Sequence, residues 1–211
     1  MTPAASRSFY AALRAENPAP RTELLYETPF QLLVAVILSA QATDKSVNAA
    51  TRDLFRVAPT PEAMLKLGVA GLKRHVRTIG LYNSKAKHIM ATSRQILEHH
   101  HGAVPSERTA LESLPGVGRK TANVVLNAAF GQPTIAVDTH IFRVANRTGL
   151  APGRTPREVE DRLLAVTPAE FQSDAHHWLI LLGRYICKAR RPECPRCPVR
   201  RWCRFPAKVM A

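Results

Sequence analysis

Cys187, Cys194, Cys197 and Cys203 are the four cysteines of the chain, spaced C-x6-C-x2-C-x5-C within seventeen residues. Four thiolates this close can wrap one tetrahedral ion or one cubane cluster. Structural zinc usually takes two C-x2-C knuckles across a longer spacer. Only one short knuckle occurs here, so the spacing favours iron–sulfur, with zinc and then disulfides as the alternatives. The same segment is strongly basic: Arg184, Lys188, Arg190, Arg191, Arg196, Arg200, Arg201, Arg204 and Lys208 accompany a single acid, Glu193. A loop pinned on a metal centre would hold these cations in a fixed array against phosphates, whereas an unpinned one would be a solvated charged tail.

A second constellation lies at Leu114-Pro115-Gly116-Val117-Gly118-Arg119-Lys120-Thr121-Ala122, followed by Val137-Asp138-Thr139-His140. Gly116 and Gly118 permit positive φ and close approach of another backbone. The helix expected to start after them aims free amides and its positive pole at one spot, which suits a phosphate. Many helix–helix corners share this short turn, so the glycines alone decide little. Lys120 attacks carbon only as the neutral amine, a form that partial burial beside Arg119 and the helix pole would favour. Asp138 supplies a carboxylate for a developing cation or a proton, and its plainer role is to cap the helix that Thr139 begins.

These groups need helices to hold them. Thr28-Pro29, Thr60-Pro61 and Thr155-Pro156 each place a capping hydroxyl before a proline at the first helical position, and Thr155 with Glu158 has the spacing of a capping box. Ala86, Ile89, Met90, Ser93, Ile96 and Leu97 line one helical face that stops at Gly102. Val47, Ala50, Thr51 and Leu54 form a second stripe, and Leu72, Val76 and Ile79 a third ending at Gly80. Leu32–Leu38 and Ile135–Val137 have the composition of short buried strands, but nothing nearby offers them partners. The fold class expected is all-α. His99, His100 and His101 read as a solvated helix end, because consecutive helical side chains diverge by about 100° and cannot converge on a metal.

Composition narrows the partner. The chain has 211 residues, a formal charge of +14 and 45% apolar residues, so a packed core and a polyanionic partner are both expected. The most apolar stretch is far too short to cross a bilayer, and Arg7 and Arg14 interrupt any signal-peptide pattern near the start. A reducing, cytoplasmic setting follows, in which cysteines serve as ligands.

Taken together, the glycine hairpin with Lys120, the Val137–His140 segment and the four-cysteine pattern resemble the helix-hairpin-helix DNA glycosylase superfamily, and within it the endonuclease III family. Ser39-Ala40-Gln41-Ala42-Thr43-Asp44 and Gly80-Leu81-Tyr82-Asn83-Ser84-Lys85 are similar to further motifs of that family. The resemblance runs from Phe30 to Cys203 without departure at a motif position. It implies a bifunctional glycosylase and abasic-site lyase of base-excision repair that removes oxidised pyrimidines. Lys120 would be the nucleophile, Asp138 the essential carboxylate, and Cys187, Cys194, Cys197 and Cys203 the ligands of a 4Fe-4S cluster. Gln41 would fill the space left by an extruded nucleotide, Leu81 would wedge into the opposite strand, and His140 would lie near the active site. Gly116, Gly118 and Arg119 of the hairpin, together with Lys85, Lys87, Lys188, Arg190 and Arg191, would meet DNA phosphates.

The family's architecture implies two lobes: residues 22–132 ending in the hairpin, and residues 1–21 with 133–211 carrying the cluster. DNA would cross the groove between them, with Lys120 and Asp138 facing each other. The implied partner is double-stranded DNA bearing damaged pyrimidines or abasic sites, met by a monomer in the cytoplasm, on the nucleoid of a bacterial-type cell, with no membrane. Two rivals stand beside this reading. A mismatch glycosylase of the same superfamily would remove adenine or thymine, but adenine-specific relatives lack a lysine where Lys120 stands. A non-catalytic redox-sensing DNA-binding protein would need neither Lys120 nor Asp138.

Overall fold

The computed structural model describes residues 1–208, and among them it contains helices and no strand. In chain order the α-helices are α1 (Pro3–Glu16), α2 (Pro29–Ser39), α3 (Asp44–Val57), α4 (Pro61–Val76), α5 (Tyr82–His100), α6 (Arg108–Glu112), α7 (Arg119–Phe130), α8 (Thr139–Thr148), α9 (Pro156–Val166) and α10 (Gln172–Leu181). The all-α expectation holds. Among the described residues, no helix is long and apolar enough to cross a membrane.

Threonine caps set most of the starts. Thr28, Thr60 and Thr155 accept from the amides of Gln31, Ala63 and Glu158, each three residues on. Thr2-Pro3 opens α1 in the same way, and Thr43 caps α3 without a proline. The capping box at Thr155 is only half formed, because the Glu158 carboxylate reaches back to the Arg154 amide rather than to that of Thr155.

The chain packs as two compact units. Thr22–Phe130 forms one of them. There α2 is buried from Phe30 to Leu38 and packs against α3, α5 and α7. A helix enclosed on every side has no polar face, which is why its sequence carries no helical period. Gly68 breaks α4 with φ +73, and α5 lies along α4.

Met1–Arg21 and the described residues from Gly131 onward form the other unit. Phe9, Tyr10, Phe171 and Trp178 make an aromatic core between α1 and α10, with Tyr10 stacked on Phe171 at 5.7 Å between ring centroids. Each buried polar handle is used: the Tyr10 hydroxyl lies 2.8 Å from Thr167 Oγ1, and Trp178 Nε1 donates to Asn17 O. Ile135–Val137 is buried but belongs to no helix or strand.

Candidate active site and DNA interface

α6 and α7 are joined by a hairpin whose turn is built for glycine. Val117 N–H donates to Leu114 O at 3.0 Å, with Pro115 second and Gly116 third in the turn, and Gly116 has φ +79. A Cβ at Gly116 would lie 2.8 Å from His88 Cβ, so α5 buttresses the turn closely. Thr92 adds a hydrogen bond from Oγ1 to Pro115 O at 2.7 Å. Gly118 faces open space, which leaves its backbone approachable. Ala122 N–H donates to Gly118 O, and the amides ahead of it lie at the positive end of α7.

Lys120 occupies that first turn and is exposed. The partial burial expected from the sequence is therefore not found: α7 buries Ala122–Asn127, and Lys120 lies at its end, ahead of them. Arg119 stands 4.0 Å from Glu112, an ion pair across the hairpin.

Gln41 and Leu81 are both exposed, and both adopt left-handed backbone with φ +57 and +60. Lys85 corrects the expectation of a phosphate contact. It is only 5% exposed, its Nζ donates to Leu38 O and Ala40 O, and burial lowers its pKa. Its aliphatic stem runs into the core from the first turn of α5, a placement that composition cannot reveal. Lys87 is exposed, as expected.

In the other unit, Asp138 caps α8 through Oδ1, which accepts from the amides of His140 at 2.9 Å and Ile141 at 2.8 Å. Two arginines on α8, which the sequence reading passed over, tie this helix to the cysteine segment. Arg143 donates to Gly183 O and Cys187 O and lies 3.2 Å from His140 Nδ1. Arg147 donates to Lys188 O and Ala189 O, approaches Cys187 Sγ at 3.9 Å, and covers the Phe205 ring. The signal available was their i,i+4 spacing on one helix face ahead of a cysteine loop.

Cys187 follows a wide helical turn, Leu182–Ile186, and Cys197 and Cys203 each follow a short 3-10 turn. All four cysteines line one small pocket, together with Leu182, Ile186 and Phe205. Phe205 N–H donates to Cys203 Sγ at 3.5 Å. Burial pushes the Cys197 thiol up to about 11 and raises that of Cys203, so a cation that binds thiolates there must displace protons. Among the described residues, no group of three His, Cys, Asp or Glu side chains is arranged to hold a metal ion. Lys188, Arg190 and Arg191 are exposed on the loop between Cys187 and Cys194, with Lys188 and Arg196 paired to Glu193.

Residues 34–169 match the model of the HhH-GPD superfamily of base excision DNA repair proteins. The chain belongs to that superfamily. Among curated relatives it is 63% identical to endonuclease III of Escherichia coli K12 over 93% of each chain, and 61% identical to endonuclease III of Haemophilus influenzae over the same shares. A solved structure of endonuclease III trapped as a covalent intermediate with DNA superposes with a TM-score of 0.90 at 42% identity, covering 97% of this chain and 96% of that one. The HhH-GPD segment contains Gln41, Leu81, the hairpin, Lys120, Asp138 and His140. The four cysteines lie beyond it.

Proposed function

We propose that this protein is a bifunctional DNA glycosylase and abasic-site lyase of base-excision repair, acting on oxidised pyrimidines in double-stranded DNA. One observation carries the reading most directly. A lysine stands in the first turn behind the glycine hairpin, in a chain similar over nearly its whole length to a protein captured in covalent linkage to DNA.

The chemistry follows from the side chains. A damaged nucleotide leaves the stack, Gln41 fills the space it vacates, and Leu81 wedges into the opposite strand. The neutral Lys120 amine attacks C1′ of the sugar, the N-glycosidic bond breaks, and the base departs with a proton. The C1′–O4′ bond then breaks, with O4′ taking up a proton, so that the sugar ring opens and Lys120 and C1′ share an iminium, which acidifies the C2′ proton. Loss of that proton and cleavage of the C3′–O bond release the 3′ phosphate, and water hydrolyses the imine to free the enzyme. Exposed at the end of α7, the Lys120 amine is open to the sugar of bound DNA. Asp138 stabilises the cationic character of the sugar or moves protons, while its second task is to hold the start of α8.

The four thiols are the ligands that this reading gives to a 4Fe-4S cluster: no three of them are placed for a single ion, but all four line one pocket, and two N–H donors approach their sulfurs. When bound, the cluster supplies a clamp that fixes the basic loop. Gly116, Gly118, Arg119, Lys87, Lys188, Arg190 and Arg191 would then meet phosphates, which position the duplex without reading its sequence. In keeping with this reading, the units Thr22–Phe130 and Met1–Arg21 with Gly131 onward act as the two lobes of the enzyme.

The test is strand cleavage of duplexes that each carry one defined lesion. Oxidised-pyrimidine and abasic duplexes should be cut 3′ to the lesion by β-elimination, and Lys120→Gln should lose this activity while still binding. Cleavage undiminished in the variant would contradict the proposal.

A further inference from the structure

Gln41 and Leu81 hold the same position in two separate turns. Ala42 N–H donates to Ser39 O at 3.0 Å and Tyr82 N–H to Ile79 O at 3.1 Å, so each residue is third in a hydrogen-bonded four-residue turn. That position has positive φ in type II turns and is ordinarily given to glycine. A glutamine and a leucine there are strained, and strain of this kind persists only where the surroundings enforce it.

At the first turn the enforcing group can be identified. Ala40, with φ −56 and ψ 114, has the second-residue geometry of a type II turn. Types I and II differ by reversal of the peptide between the second and third residues, here Ala40–Gln41. In type I, Gln41 would relax to negative φ, and the Ala40 carbonyl would point the opposite way. Lys85 Nζ donates to that carbonyl at 2.6 Å and to Leu38 O, at the end of α2, at 2.8 Å. Reversing the peptide would strip a buried ammonium of one of its two acceptors, a larger penalty than the strain relieved. Lys85 also joins the second turn, since its own N–H donates to Leu81 O at 3.0 Å.

We propose that Lys85 is a positioning residue that locks Gln41 in its left-handed conformation and fastens the Gln41 turn to the Leu81 turn, so that both side chains are preset for insertion at a lesion. Presetting matters because ordering two loops during binding would subtract from the affinity for extruded nucleotides. The inference rests on the reading of Gln41 and Leu81 as the inserting residues.

Lys85→Met keeps the aliphatic stem and removes the donors. Hydrogen exchange in the full protein reads the lock without reference to DNA. With the turn free to open, exchange across residues 39–44 should be about tenfold faster in the variant, the factor expected for one lost hydrogen bond to a charged group, while amides of α7 keep their protection. Unchanged exchange across residues 39–44 overturns the lock. On DNA, single-turnover cleavage of an oxidised-pyrimidine duplex should slow about tenfold. Affinity for undamaged duplex and its salt dependence should stay as they are, whereas loss of a phosphate contact would reduce the log–log salt slope by about one. In a Gln41→Ala/Leu81→Ala background the same substitution should slow cleavage by less than about twofold, since coupled residues are not additive. An equal slowing in both backgrounds, or a reduced salt slope, overturns the positioning role. A Gln41→Ala/Leu81→Ala protein as fast as its parent instead overturns the insertion reading, and the exchange result then shows whether the lock survives without it.

Discussion

Asp138 carries two duties that substitution can separate. Its carboxylate accepts from two amides at the start of α8, a service that asparagine performs nearly as well and alanine does not. Asp138→Asn should therefore keep its melting temperature, and Asp138→Ala should lose about 1 kcal/mol of stability. Both should cleave damaged DNA poorly, because neither retains the negative charge. Thermal melts beside single-turnover rates make the comparison, and an active asparagine variant would reduce Asp138 to a cap. At this scale spacing was the legible signal: the cysteine pattern, the glycine hairpin and the Asp-Thr cap could all be read from residue order. Lys85 could not, because a lysine in sequence looks like a surface cation until its burial is known. Lys120 erred the other way, expected half-buried and found exposed at a helix end.

Among the elements, caps and stripes were legible where one helix face meets solvent. The Thr28-Pro29 cap marked the start of α2, but no stripe could, since its faces are all buried and its run of apolar residues matches a strand equally well. The interior of the aromatic unit holds a further consequence. His177, on α10, is buried, and desolvation lowers its pKa to about 4 from 6.5. A histidine whose folded pKa is depressed stays neutral in the fold and takes up its proton on unfolding. Stability should thus be fullest above pH 6.5 and decline as the pH falls toward 4, by up to about 3 kcal/mol from this group. His177→Gln should flatten that decline in denaturant titrations at a series of pH values. An unchanged slope would mean that other groups dominate acid sensitivity.

On the scale of the molecule, the charge of +14 foretold a polyanionic partner but no particular chemistry. The pairing of chain ends with the C-terminal half in one unit is not visible in hydrophobic pattern, since it depends on contacts such as Ser6 Oγ to Val166 O across 160 residues. The purified protein should be brown and contain about four irons per chain, the content of a cubane held by four cysteines. A colourless preparation containing zinc would replace the cluster with a single-ion site.

The most direct test of the account is to locate the covalent bond. Borohydride added during reaction with an abasic-site duplex should reduce the iminium to a stable adduct, and mass spectrometry of the digested complex should place it on the peptide bearing Lys120. An adduct on another amine, or none on a protein that still cleaves the strand, would contradict it.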